Sequence, residues 1–153
     1  MPTLRPLSAA DAPLALPALR ELRPSSPATT SAQALSDYLR EAAAEGYRLV
    51  GAFEDGRREA VAVAGYRTFT MLAFGRALYV DDLSTLPDAR GRGHARALLT
   101  WLEEEARRLG CASLHLDSGV GEGRFAAHRL YHAAGLNVTC HHFEKGLERG
   151  ERG

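Results

Sequence analysis

Apolar residues recur along the chain with two different periods, and each period predicts a type of secondary structure. Over residues 93–109 they recur every three or four positions, which predicts an amphipathic helix. A similar period over residues 31–46 predicts an earlier helix that ends at a glycine. Three runs rich in β-forming residues predict strands that pair as an antiparallel meander: YRLVGAF (47–53), EAVAVAGYRTF (59–69) and RALYVDDLSTL (76–86).

The two ends of the chain add further elements. TLRPLSAAD (3–11) predicts a short strand that runs into a helix, because Ser8 and Asp11 have the spacing of a capping box. Pro17 should kink or shorten that helix. The last elements are a strand in CASLHLDS, a helix in GRFAAHRLYHAAG and a final strand in LNVTCHHFEKGL (136–147).

The predicted order is therefore β-α-α-β-β-β-α-β-α-β, an α+β arrangement without an internal repeat. A chain of 153 residues is most simply one domain, which we place at residues 1–147 with a flexible tail at 148–153. Its 19 basic residues balance 19 acidic ones, so no global field favours nucleic acid or an anionic membrane. Without a long apolar run or a signal-peptide pattern, we expect a soluble cytoplasmic protein.

Metal chemistry is not predicted. Cys111 and Cys140 are too few and too far apart for a zinc set. His128 and His132 are four residues apart, but no glutamate motif accompanies them. We therefore interpret the histidines as ordinary surface or pocket residues.

The turn before the long helix, residues 90–95, carries the chemical signal. Amides at a helix start have no intrahelical partner and lie at the positive end of the helix dipole, so this turn is suited to bind a phosphate. Gly91 and Gly93 allow the backbone to approach a ligand closely. The turn is not a nucleotide-triphosphatase loop, and Arg96 replaces the third glycine of a dinucleotide-binding motif. The alternative is a solvent-exposed helix start.

The stretch Arg90-Gly91-Arg92-Gly93-His94-Ala95 resembles the acyl-CoA signature R/Q-x-x-G-x-G/A of the GNAT superfamily of N-acetyltransferases. The resemblance extends over about residues 48–147, and the first 47 residues fit the variable start of that family. It implies a three-layer fold with a mixed, mostly antiparallel sheet of about six to seven strands and helices on both faces. It also implies direct transfer of an acetyl group from acetyl-CoA to a primary amine.

The resemblance assigns cofactor-binding residues to this chain. The backbone of a strand would pair with the pantetheine arm, and the amides of the turn would hold the pyrophosphate. Arg124 stands where many relatives have asparagine and can instead reach the phosphates, while His128 can touch the thioester or the acceptor. The full set is Leu83, Ser84, Thr85, Arg90, Gly91, Arg92, Gly93, His94, Ala95, Arg124 and His128.

Catalysis is assigned in the same way. Tyr131 matches the tyrosine that protonates the departing thiolate, against the alternative of a buried packing residue. Asp81 and Asp82 are candidates for the base, and alternation along the strand favours Asp81 unless a bulge exchanges the two. An equal alternative is a rim carboxylate that only attracts the amine. His115 and Asp117 are reserve candidates.

The acceptor cannot be identified from the sequence, and both a small-molecule amine and a protein amine remain open. A different class of function, a non-catalytic CoA-binding sensor or interaction module, is disfavoured because Tyr131 and the acidic pair are present. Nucleic-acid binding is disfavoured because the arginines lack interleaved aromatic residues. A homodimer is left open.

Overall fold

The computed structural model describes residues 1–148, and these form two compact units. The first unit is Met1–Leu116 and the second begins at Asp117. Of the tail expected at residues 148–153, all but the first residue lies outside the described residues. The assignment of residues 1–147 to one domain stays a prediction.

The first unit contains a five-stranded sheet. Neighbouring strands in the sheet are also neighbours in the chain, and the first four pair antiparallel while the fifth pairs parallel to the fourth. The sheet is therefore mixed and mostly antiparallel, as the sequence predicted. Its strands are β1 (Thr3–Leu7), β2 (Arg48–Phe53), β3 (Ala62–Met71), β4 (Gly75–Thr85) and β5 (Ser113–Leu116).

Three helices belong to the first unit and one to the second. A capped 3-10 turn, Ala9–Asp11, leads into the first helix, and in its cap the Ser8 amide donates a hydrogen bond of 2.8 Å to the Asp11 carboxylate. Pro17 lies inside this helix, which still runs unbroken. No helix among residues 1–148 is long and apolar enough to cross a membrane. The helices are α1 (Ala12–Leu22), α2 (Ala32–Ala44), α3 (His94–Arg108) and α4 (Phe125–Ala133).

Helices cover both faces of the sheet in the first unit. Leu49 and Val63 pack in one buried cluster with residues of α1 and α2. Val50 and Ala64, which point the other way along the same strands, are also fully buried. That second face is covered by α3, which buries Leu98, Leu99 and Leu102. The apolar stripe predicted in α3 is thus the side that packs on the sheet.

The final strand predicted at residues 136–147 is wrong. The described residues 136–148 contain no strand, so the structure shows five strands rather than six to seven. Leu136, Val138 and Cys140 alternate as in a strand, but Phe143 falls out of that period. Val138 and Phe143 are also largely exposed, so burial provides little stabilisation for a strand here.

Candidate active site

One edge of β4 has no strand partner at its carboxyl-terminal end. β4 pairs with β5 only from Ala77 to Val80, whereas it pairs with β3 on its other side as far as Thr85. Within the described residues, positions 81–85 therefore present main-chain groups that no strand satisfies. Leu83, Ser84 and Thr85, which the sequence assigned to pantetheine binding, lie in this unpaired stretch.

A β-bulge marks the point where the unpaired stretch begins. Gly65 pairs with Asp82, but the next residue of β3, Tyr66, pairs with Val80, so Asp81 is the extra residue. Regular alternation would place adjacent side chains on opposite faces. With the bulge, the side chains of Asp81 and Asp82 both lie in the surroundings of Tyr47, a residue of the α1/α2 core cluster.

Asp82 is held by two donors. The Tyr47 hydroxyl donates a hydrogen bond of 2.8 Å to its Oδ2, and Arg23 Nε donates one of 3.1 Å to its Oδ1. Tyr47 is buried, and this burial together with the charge of Asp82 raises its pKa well above the ordinary value. The phenol therefore stays protonated at neutral pH and remains a donor to the carboxylate.

Gly65 makes the contact between Tyr47 and Asp82 possible. A Cβ atom at position 65 would lie 1.8 Å from the Tyr47 hydroxyl oxygen and 2.4 Å from the ring carbon that carries it. The tyrosine thus crosses β3 at a position that any side chain would block. The sequence reasoning missed both residues, because a glycine inside a strand is only a weak signal of close approach.

Asp81 is engaged in a separate ion pair. Arg67 donates to both of its carboxylate oxygens, at 3.1 Å from Nε and 2.7 Å from one terminal nitrogen. This bidentate pairing raises the already high pKa of Arg67, so its guanidinium stays charged at neutral pH. The Arg67 guanidinium also lies 5.5 Å from the centre of the Tyr47 ring. The Asp81 carboxylate is therefore paired with Arg67 on both oxygens, a contact that the sequence did not predict.

The glycine turn before α3 has an open backbone. Gly91 and Gly93 have φ angles of +77° and +83°, which favour glycine, and added Cβ atoms would meet nothing within 4 Å. Glycine is therefore required by the backbone rather than by crowding. Gly93 is the N-cap residue of α3 and has no side chain to cap it, so no N-cap side chain occupies the first-turn amides of this helix.

The basic side chains of this turn are tied to acidic partners. Arg92 lies 2.8 Å from both carboxylate oxygens of Glu54, and His94 Nε2 lies 2.6 Å from one of them. The hydrogen bond with His94, followed by that with Arg92, lowers the pKa of Glu54. Arg90 pairs with Glu21 at 3.3 Å. Glu54 was not predicted, because it is about forty residues away in sequence with no motif linking it to the turn.

The remaining predicted residues lie in the second unit: His128 and Tyr131 on α4, and Arg124 at the residue that precedes it. His128 Nε2 is 2.9 Å from the Gly119 carbonyl oxygen and 3.1 Å from the Ser118 hydroxyl. The rings of His128 and Tyr131 are 6.4 Å apart. Burial raises the pKa of Tyr131, while the positive charge of Arg124 partly opposes that shift. The Tyr131 phenol is thus a protonated group at neutral pH.

The reserve candidates have separate partners. His115 Nε2 lies 2.7 Å from the Ser113 hydroxyl in the first unit. In the second unit, Asp117 lies 3.3 Å from His142. No group of three or more His, Cys, Asp or Glu side chains within residues 1–148 is arranged to hold a metal ion.

A pocket of about 170 Å³ lies in the first unit between α1, α2 and the sheet. Residues of α1, α2 and the loop between them line it, and Tyr47 and Asp82 contribute from the sheet. The pocket therefore reaches the unpaired stretch of β4 at Asp82.

The sheet and helices of the first unit, with the glycine turn before α3, have the fold of known acetyltransferases. A model of the acetyltransferase (GNAT) family matches residues 16–136, and the chain belongs to this family of acyltransferase enzymes. The resemblance stated from the sequence is thereby confirmed.

Individual relatives agree with the family. The chain is similar in structure to an acetyltransferase-type protein of Agrobacterium tumefaciens strain C58, with a TM-score of 0.80 and 25% identity, covering 95% of this chain and 99% of the other. An acetyltransferase of Trypanosoma brucei shares the fold, with a TM-score of 0.78, 22% identity and coverage of 96% and 100%. In sequence, the chain is 35% identical over 68 residues to an aminoalkylphosphonate N-acetyltransferase of Salmonella typhimurium strain LT2, a stretch covering 44% of this chain and 43% of that protein.

Proposed function

We propose that this protein transfers an acetyl group from acetyl-CoA directly to the primary amine of an acceptor. The observation that carries the proposal is the unpaired edge of β4 at residues 81–85, which leads through a short turn into the open amides before α3. An extended amide chain such as pantetheine can bind a strand edge as an added strand does. The amides of residues 90–95, at the positive end of the α3 dipole, are suited to the pyrophosphate.

The transfer consumes one ammonium group and releases one proton. The amine loses a proton to a carboxylate or to water, and its nitrogen attacks the thioester carbonyl carbon. The carbon–sulfur bond then breaks, and the sulfur leaves with the second proton of the amine or with one from a nearby acid. We assign that acid role to Tyr131, because its raised pKa keeps the phenol protonated where a thiol with an ordinary pKa of about 8.5 must be reprotonated.

We assign the base to Asp82 rather than to Asp81. Both carboxylates accept hydrogen bonds on both oxygens, but Asp82 lines the pocket and one of its donors is the half-exposed Arg23. Asp81 is held on both oxygens by Arg67, whose side chain is more buried. A carboxylate in a pocket can take a proton directly or through one water molecule. No covalent intermediate on the enzyme is needed, and the enzyme acts mainly by positioning the amine against the thioester.

The test is the release of free thiol from acetyl-CoA in the presence of a panel of amines. The panel should include aminoalkylphosphonates, because they are the substrates named for the Salmonella relative, together with simple alkylamines, polyamines and lysine peptides. Turnover with at least one amine supports the proposal. CoA binding without turnover on any amine would instead favour a non-catalytic CoA-binding module.

Two variants separate CoA binding from chemistry. Gly93→Glu should abolish CoA binding, since it places a strained, negatively charged residue in the turn. Gly110→Glu is the matched control. Gly110 has a similar φ of +73°, an added Cβ atom there would also meet nothing within 4 Å, and the residue lies beyond the other end of α3. Tyr131→Phe should lower kcat by roughly 10²-fold and leave CoA affinity unchanged. Equal loss of CoA binding in both glycine variants would refute the role of the turn.

A further inference from the structure

The pocket between α1 and α2 is small and carries few charges. Its volume of about 170 Å³ equals the volume of on the order of six water molecules, which suits a compound of few heavy atoms. Leu19, Leu35 and Tyr38 give it apolar and aromatic walls. Among its lining residues the only fully charged side chains are Arg23 and Asp82, one of each sign.

These two charges pair with each other across the pocket. Arg23 Nε lies 3.1 Å from Asp82 Oδ1, with the Arg23 side chain 51% exposed and the Asp82 side chain 14% exposed. An ion pair with one half-exposed, long side chain contributes little to stability. Arg23 also donates a hydrogen bond of 3.2 Å to the exposed main-chain oxygen of Asp81, and water can replace that bond when Arg23 moves away. Loss of the cation is more costly for Asp82 than for Arg23. The Asp82 side chain is mostly buried, and its carboxylate would keep only the hydrogen bond from the Tyr47 hydroxyl.

We propose that the acceptor is a small zwitterionic amine, which carries a carboxylate or phosphonate two or three atoms from its primary amine. Its ammonium group takes the place of Arg23 on Asp82 Oδ1, and the released Arg23 guanidinium binds the anionic group. The ligand thus replaces one internal ion pair by two ion pairs of the same kind. This inference rests on the proposed acetyl transfer and specifies its acceptor.

Other classes of amine fit this pocket less well. A polyamine can pair one ammonium group with Asp82, but it brings a second cation and no anion for Arg23, so two cations would face each other in the pocket. Asp81 cannot relieve that repulsion, because its carboxylate is already paired with Arg67. A monoamine such as propylamine, or the lysine side chain of a protein, is also an ammonium ion at neutral pH and leaves Arg23 without a partner, but it brings no second cation. The predicted preference is therefore zwitterionic amine first, alkylamine second and polyamine last.

The experiment measures acetylation of four amines with similar chain lengths: 2-aminoethylphosphonate, β-alanine, propylamine and putrescine. We expect kcat/KM to be at least roughly 30-fold higher for the two zwitterionic amines than for propylamine. Arg23→Met should lower kcat/KM for the two zwitterionic amines at least roughly 10-fold more than for propylamine, while Arg23→Lys should restore part of their advantage because the positive charge remains. Arg40→Met is the matched control, since Arg40 pairs with Asp37 in an exposed ion pair outside the pocket and should leave all four rates unchanged.

The outcomes separate this inference from the proposed function. Efficient acetylation of propylamine or putrescine, with no advantage for a zwitterionic amine, would overturn the substrate class while supporting acetyl transfer. Equal losses for all four amines in Arg23→Met would also overturn it, because they would make Arg23 a support for Asp82 only. CoA binding with no acetylation of any amine would overturn both. Calorimetry of 2-aminoethylphosphonate with CoA present gives an independent readout, and binding to Arg23→Met as tight as to the unmodified protein would contradict the role of Arg23.

Discussion

Gly65→Ala tests whether Tyr47 crosses β3 to reach Asp82. The added methyl carbon would overlap the Tyr47 hydroxyl, at 1.8 Å, and its ring, at 2.4 Å, so the tyrosine must move. Loss of a hydrogen bond to a charged group costs about 1.5–3 kcal/mol, and overpacking of a core costs about 1–3 kcal/mol. We therefore expect the free energy of unfolding to fall by about 3–5 kcal/mol, a large part of the about 5–15 kcal/mol that stabilises a typical domain.

The assay is denaturant unfolding of Gly65→Ala, Tyr47→Phe and the double variant, with slopes compared to confirm that the same surface unfolds. Tyr47→Phe alone should cost about 1.5–3 kcal/mol, because it removes only the hydrogen bond to Asp82. The double variant should lose less than the sum of the single variants, since both remove that bond. Gly123→Ala is the control, as an added Cβ there meets nothing within 4 Å. A loss below about 1 kcal/mol in Gly65→Ala, or strict additivity, would refute the reasoning.

Three further predictions follow from single contacts. Asp11→Ala should lower the free energy of unfolding by about 1 kcal/mol. The hydrogen bond from the Ser8 amide lowers the pKa of Asp11, so the stability that Asp11 contributes is present above its ordinary pKa and is lost as pH falls through the lowered pKa. In urea titrations, the stability of the variant should therefore depend less on acid pH. Glu54→Gln should lower the KM for acetyl-CoA roughly 2–5-fold without changing kcat, because it removes a negative charge beside Arg92; a rise in KM would show that Glu54 mainly positions the turn. Burial raises the pKa of Tyr66 to about 12, so its stabilising effect is complete below pH 10 and lost as pH rises through 12; absorbance at 295 nm should show a late ionisation that Tyr66→Phe removes.

Local signals gave the accurate part of the fold prediction. The helix predicted at residues 93–109 is His94–Arg108 in the structure, because its apolar stripe and terminal glycine act within a few turns of chain. The strand predicted at residues 136–147 failed because a strand depends on a partner elsewhere in the chain, which its own residues do not report.

The predictions for the site also depended on whether the signal was local in the chain. The turn at residues 90–95 was recognisable because its glycines and helix start are contiguous. The partners of the two aspartates could not be recognised from the sequence. Arg23 and Asp82, for example, are 59 residues apart and no spacing rule connects them. The sequence analysis allowed that a bulge could exchange Asp81 and Asp82. The structure has a bulge that instead brings both side chains into the surroundings of Tyr47.

The bulge at Asp81 makes this strand tolerant of the loss of one particular residue. Val80 pairs with Tyr66 and Asp82 with Gly65, and these neighbours on β3 already point to opposite faces of the sheet. Deleting Asp81 would therefore remove the bulge, while Asp82 and the later residues of β4 keep their partners and their faces. Deleting Leu83 instead would shift the pairing by one residue and turn Ser84, now buried, to the opposite face. The length of this segment can therefore vary at the bulge but not beyond it.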